Sequence, residues 1–198
     1  MADQPGLFDL KPGLPDGFRY CPDLLAEAEE RALIAEIERL PFKAFEFHGF
    51  LGKRRVVSFG WRYDFNEAKL KEAAPIPDFL LAVRAKAAHF AGLGEGAFEQ
   101  LLVTEYEPGA AIGWHRDRAV FGEVAGVSLL APCTFRFRMK AGATWERASL
   151  RLAPRSAYLL SGLARRTWEH SIPGVDELRY SLTFRTFGDR RKPNGEAS

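Results

Sequence analysis

The chain has 198 residues, 46% of them hydrophobic and 27% charged, with a formal net charge of +2. One globular domain with its own core is expected, and a balance this near neutral neither demands nor opposes a polyanionic partner. Two cysteines, Cys21 and Cys133, exclude a disulfide framework or a cysteine metal cluster, and no apolar stretch approaches membrane-spanning length.

Residues 1–22 are rich in proline and glycine and read as an extended arm before a single domain over 23–188. Asp23 can cap a first helix whose apolar stripe is Leu24, Leu25, Ala28, Ala32, Leu33, Ile37 and Leu40, ended by Pro41. Short strands are predicted over Ala44–Phe47 and Arg55–Phe59, with the basic run Gly52-Lys53-Arg54-Arg55 read as a turn that either is solvated or meets phosphates. Pro75 to Pro77 break the chain before a second helix near Asp78–Phe90. Beyond Gly96, strands are predicted at Leu101–Tyr106, Val124–Leu130, Thr134–Arg138, Ser149–Leu152, Ala157–Ser161 and Tyr180–Phe187. The fold class is therefore mainly β with flanking helices at the front (α+β), and the polar tail 189–198 is expected to be disordered. The opening residues lack a basic segment followed by an apolar run, so no secretory signal is expected, and a cytoplasmic monomer is the expectation.

The chemistry concentrates between Tyr106 and Arg185. On a strand, His115 and Asp117 share a face while Arg116 turns away, and the distant His170 completes a set of two imidazoles and one carboxylate. That donor set suits non-heme iron(II) with open coordination positions, although a hydrolytic zinc site uses the same donors. In the last strand Arg179, Ser181, Thr183 and Arg185 share one face, a polar side with a cation at each end. Paired guanidinium groups near a metal fit a small dicarboxylate such as 2-oxoglutarate and argue against the zinc alternative.

Tyr106-Glu107-Pro108-Gly109, His115-Arg116-Asp117, His170 and Arg179-Tyr180-Ser181-Leu182-Thr183-Phe184-Arg185 together resemble the AlkB family of iron(II)- and 2-oxoglutarate-dependent dioxygenases, over roughly residues 55–187. The resemblance implies a double-stranded β-helix (jelly-roll) core over about 100–187, N-terminal helices and a substrate-recognition lid. It implies His115, Asp117 and His170 as Fe(II) ligands, Arg179 and Tyr106 on the far carboxylate of 2-oxoglutarate, and Arg185 at the metal end. Thr104 and Ser181 stand where some members contact the cosubstrate with asparagine. Oxygen is the co-oxidant, and the implied reaction removes alkyl groups from nucleic-acid bases as formaldehyde. DNA is the favoured partner, with RNA second; tRNA, a protein side chain or a small molecule is the alternative target, and a non-catalytic nucleic-acid-binding module is a remote one.

Substrate contacts are expected from Trp61, Tyr63 and Arg55. Phe59, Trp61, Tyr63 and Phe65 alternate, so an extended segment would form an aromatic ledge able to stack on a base, with Phe59 and Phe65 read as core. His48, His89 and Cys133 read as structural, and Trp168 as packing near the metal pocket. Ala119 stands where the best-known members have a second acidic residue that helps read the base, which leaves base identity open.

Overall fold

Alternating apolar residues along the strands sort this chain into three layers. The computed structural model describes residues 13–47, 50–64, 67 and 69–188. The arm up to residue 12, His48, Phe65 and the tail 189–198 lie outside the described residues. The elements run β1 (Phe18–Cys21), α1 (Glu27–Ile37), β2 (Lys43–Phe47), β3 (Phe50–Phe59), β4 (Trp61–Asp64), β5 (Lys69–Glu72) and α2 (Asp78–Ala91). They continue with β6 (Gln100–Tyr106), β7 (Ile112–His115), β8 (Phe121–Leu129), β9 (Cys133–Ala141) and β10 (Thr144–Leu152). The last are β11 (Ala157–Leu160), α3 (Gly162–Arg166), β12 (Glu169–Ile172) and β13 (Arg179–Phe187).

A seven-stranded sheet is ordered β1-β11-β8-β13-β6-β3-β2, a four-stranded sheet β10-β9-β12-β7, and β4 and β5 form a separate ribbon. One face of the large sheet presents Leu101, Val103, Val127, Leu182 and Phe184 to Leu33 and Ile37 of α1 and Leu80 and Val83 of α2. Its other face presents Tyr106, Val124 and Tyr158 to Phe135, Phe137 and Ile172 of the small sheet. Two facing antiparallel sheets with helices outside the larger one meet the expectation of a jelly-roll core. No helix among the described residues is long and apolar enough to cross a membrane.

Both helices follow their apolar spacing, but α1 starts later than expected. The backbone N–H groups of Leu24 and Leu25 bond to the Arg155 carbonyl at 2.9 and 3.3 Å, which draws that stretch onto the sheet before the helix can begin. Ala26, not Asp23, occupies the cap position, and its N–H donates to the Glu29 carboxylate at 2.8 Å. Helix α2 ends at Gly92, whose left-handed φ of 76° closes the last turn.

Three further expectations are corrected. Residues Phe18–Cys21, read as part of an arm, pair with β11, because Phe18 has an aromatic core to enter beside Phe135, Phe137 and Tyr158. The basic run at 52–55 is the middle of β3, not a turn. The aromatic ledge is interrupted at Gly60, where φ is +70° and the chain leaves β3 for the ribbon. Phe59 is core, as expected, while Trp61 and Tyr63 belong to β4.

A Cβ at Gly60 would lie 2.1 Å from the Glu99 carbonyl oxygen, so backbone blocks it. Gly60→Ala is expected to cost roughly 2–4 kcal/mol, from left-handed strain plus overlap. Denaturant unfolding measures that loss; an unchanged midpoint would show that the turn relaxes freely.

Candidate active site

The turn Glu107-Pro108-Gly109-Ala110 explains the first of the sequence motifs. Proline precedes a glycine with φ +81°, and the Ala110 N–H bonds the Glu107 carbonyl at 2.8 Å, the features of a type II turn. It carries the chain from the large sheet to the small one, delivering β7 opposite β12. His115 and His170 are direct register partners, and their ring centres lie 4.3 Å apart. Strand alternation does not bring Asp117 to them, because β7 ends at His115 and Asp117 sits in the loop beyond. Convergence is produced there by Arg185, whose Nε and Nη2 hold one Asp117 oxygen at 2.8 and 2.7 Å. The other Asp117 oxygen is 3.6 Å from His170 Nε2.

These side chains offer three ligand atoms, all within 4.8 Å of one another. His115 Nδ1 faces the Gly113 carbonyl at 3.0 Å, so as a donor there it leaves Nε2 with its lone pair. Burial first, then the neighbouring His115, push the His170 pKa down to about 3, which keeps that imidazole neutral. Burial opposes ionisation of Asp117, but the Arg185 guanidinium in direct contact outweighs it and holds the carboxyl well below the ordinary range. Two imidazoles and a fixed carboxylate fit a divalent iron with its remaining positions open to the pocket.

The same pocket runs from this triad to Tyr106 and Arg179 over a floor that includes Thr104, Ser181 and Thr183. Arg179 is buried, its Nε and Nη2 bond the Ser128 hydroxyl at 3.2 and 3.0 Å, and its Nη1 has no hydrogen-bond partner among the described residues. The guanidinium carbon lies 4.8 Å from the centre of the Tyr106 ring. An orphaned cationic N–H in a buried pocket is the counterpart of a carboxylate. The donor set and this orphan together fit a keto acid with a second carboxylate.

Of the expected site residues, His115, Asp117, His170, Tyr106, Arg179, Arg185, Thr104 and Ser181 all line the pocket. Arg55 does not. It points to the opposite face of β3, where Glu105 holds it at 2.6 and 2.9 Å. Arg54 takes the pocket side instead, its guanidinium 4.0 Å from the centre of Phe45 and without a carboxylate or hydrogen-bond partner among the described residues. Trp61 and Tyr63 are not among the residues that line the pocket. Trp61 meets the edge of Phe187 at 5.6 Å, and Tyr63 lies under Arg118, the residue after Asp117, at 5.1 Å. Trp168 is packed against Phe137, Cys133 is buried, and His89 is exposed on α2.

Sequence reasoning missed Arg165. From the short helix α3 its guanidinium donates to the carbonyls of Gly122 at 2.7 Å, Asp117 at 3.3 Å, Arg118 at 2.8 Å and Phe121 at 2.7 Å. It is 8% exposed and clamps the whole loop that carries Asp117. Arg165→Met is expected to cost about 3 kcal/mol, because several carbonyls lose a charged donor at once. Chemical denaturation together with a metal titration tests this: a stable variant with unaltered metal affinity would remove the clamp role. Ser128 did leave a signal, as a lone hydroxyl inside the buried run of β8.

The chain matches the family model described as the 2OG-Fe(II) oxygenase superfamily over residues 17–185. It is 29% identical over 191 residues to the "Alkylated DNA repair protein ALKBH8 homolog" of Arabidopsis thaliana, a match covering 84% of this chain and 53% of that protein. The chain thus spans about half of that relative's length. It is 32% identical over 192 residues to the "Alpha-ketoglutarate-dependent dioxygenase alkB homolog 7, mitochondrial" of Bos taurus, covering 92% of this chain and 76% of that one. Among solved structures, that of OsALKBH1 superposes with a TM-score of 0.70 at 15% identity, over 87% of this chain and 98% of the other, and so shares its fold.

Proposed function

Since the chain belongs to the AlkB-like enzymes of the 2OG-Fe(II) oxygenase superfamily, we propose that it oxidatively removes alkyl groups from the nitrogens of nucleic-acid bases, in DNA first and RNA second. The observation that carries the catalytic half is a pocket with a His–Asp–His donor set and, farther along it, an orphaned arginine N–H. Membership brings Fe(II), 2-oxoglutarate and oxygen. In the proposal His115, Asp117 and His170 hold the iron. Arg179 and Tyr106 hold the far carboxylate of 2-oxoglutarate, with Thr104 and Ser181 beneath it.

Iron and 2-oxoglutarate held by these residues would supply the oxidising chemistry, with oxygen consumed, succinate and carbon dioxide as co-products, and hydroxylation of the alkyl carbon as the outcome. The resulting N-hydroxyalkyl product collapses to the free base and formaldehyde. The protein's part is positional. Arg185 occupies one Asp117 oxygen, so the other keeps facing the two imidazoles. Apolar walls from Ile112, Phe135 and Ile172 help exclude water from the same space.

Substrate contact is assigned to the β4–β5 ribbon, which acts as the lid of the proposal. Its Tyr63 is tied to the Asp117 loop through Arg118, which supports a base held beside the metal. Arg54 adds a cation without a carboxylate partner among the described residues and favours a substrate bearing an anionic group or an acceptor edge. The enzyme is taken to act as a cytoplasmic monomer. Trp61→Ala is expected to lower formaldehyde release about 5- to 150-fold, the worth of one stacked base, while uncoupled succinate formation persists. Loss of both products together would make Trp61 structural.

The decisive experiment loads the protein anaerobically with Fe(II) and 2-oxoglutarate, then adds oxygen and an N-methylated DNA strand. Matched succinate and formaldehyde, absent in His115→Ala, are the expected result. Succinate without formaldehyde would transfer the same chemistry to another target, such as tRNA. Neither product from iron-loaded protein would overturn the assignment.

A further inference from the structure

The outward face of the four-stranded sheet carries an arrangement that the active site does not use. Strand alternation there aligns Arg136, Arg138 and Lys140 of β9 with Arg147 and Arg151 of β10, against the carboxylate of Glu169. Lys140, Arg147 and Arg151 are exposed and have no carboxylate partner among the described residues. This concentration stands out in a chain whose net charge is only +2.

Two indoles interleave with the cations. The Arg138 guanidinium carbon lies 4.6 Å from the centre of Trp114 and 4.4 Å from that of Trp145. Arg136 lies 5.0 Å from the same Trp114 ring. Stacking occupies the flat faces of a guanidinium and leaves its in-plane N–H groups for an anion. The Nε of Arg138 bonds Glu169 at 2.6 Å and that of Arg136 bonds Ser171 at 3.1 Å, so each fork is anchored through its inner nitrogen. Arg138 is also directly opposite Arg147 in the β9–β10 register. Like charges placed opposite one another across an antiparallel pair destabilise it, and an external anion relieves that cost.

We propose that this face is a docking surface for the phosphate backbone of the nucleic-acid strand whose base enters the pocket. Charge complementarity selects a polyanion, and the exposed Trp145, at 38%, adds a stacking platform. Trp114 and Glu169 are chain neighbours of His115 and His170, so the ladder lies back to back with the proposed metal ligands. Strand β7 is the edge of this sheet, so a nucleic-acid strand leaving the pocket reaches the face around one edge. On the nucleic-acid reading, from which this surface follows, the rest of the strand lies here.

The test measures binding of a single-stranded oligonucleotide by fluorescence anisotropy across a salt series, using the full chain and Arg147→Glu/Arg151→Glu. The expected result is an affinity loss of tenfold or more and a salt dependence flattened by about 1.4 in log–log slope, because two phosphates are no longer neutralised. Unfolding temperature should be no lower than wild type, because Arg147→Glu faces Arg138 across the ladder, and uncoupled 2-oxoglutarate turnover should match wild type. Trp145→Ala, which leaves charge untouched, should weaken binding several-fold without changing the slope. If wild type binds and the charge variant binds equally with the same slope, this surface is overturned and the nucleic-acid reading stands. If wild type binds no strand, both fall. Competition by an acidic polypeptide as effective as the oligonucleotide would replace the partner and overturn the proposal.

Discussion

Arg179→Met should weaken 2-oxoglutarate binding by about 2–5 kcal/mol, roughly 30-fold to several thousand-fold, with little loss of metal binding. The arginine is buried, two of its nitrogens are fixed on Ser128, and the third is unsatisfied among the described residues. Methionine keeps much of the unbranched stem and removes the charge, so the incoming carboxylate would be desolvated without its cationic partner. Anaerobic calorimetry with the metal-loaded protein reads the effect directly. A 2-oxo acid lacking the second carboxylate provides the contrast, since its affinity should be nearly indifferent to the substitution. Equal losses for both acids would show that Arg179 shapes the pocket rather than recognising the far carboxylate.

Asp117→Ala is expected to abolish metal-dependent turnover and also to destabilise the fold by about 3–5 kcal/mol. The two losses have different origins. Turnover goes because one of three donors is removed. Stability goes because Arg185, with its side chain 12% exposed, loses its carboxylate and keeps the neutral Gln100 amide oxygen at 2.9 Å and the Phe121 ring. Asp117→Asn separates the two: a neutral amide of the same shape should recover part of the stability and none of the turnover. Metal titration and chemical denaturation of both variants, measured side by side, decide the matter. If Asp117→Ala were as stable as wild type, the Arg185 pair would not be the anchor that holds the loop in place.

Much of this site is legible in the residues because it rests on short-range regularities. The closing strand alternates with period two, so Arg179, Ser181, Thr183 and Arg185 had to share a face once β13 formed, and they do. Both helices announced themselves by apolar spacing and by flanking proline or glycine. The errors fall where local pattern has no discriminating power. Arg54 and Arg55 are adjacent cations in a run without alternation, so nothing local says which one turns inward. That depends on Arg54 pairing with Tyr106 and Arg55 with Glu105 across the sheet, where Glu105 captures Arg55. Arg165 carries no periodic signal because its partners are backbone carbonyls more than 40 positions away.

By itself, the sequence determined the donor types, the paired arginines, the two longer helices and the family, since each depends on residue chemistry or on spacing within one element. Tertiary structure alone decided the rest. It set which cation of β3 faces the pocket, how Asp117 reaches the imidazoles from beyond the end of β7, which guanidinium clamps its loop, and how arginines and tryptophans interleave behind the metal ligands. The reason is physical: register between strands and the closure of distant loops are set by long-range pairing and burial, and no short window of residues contains them.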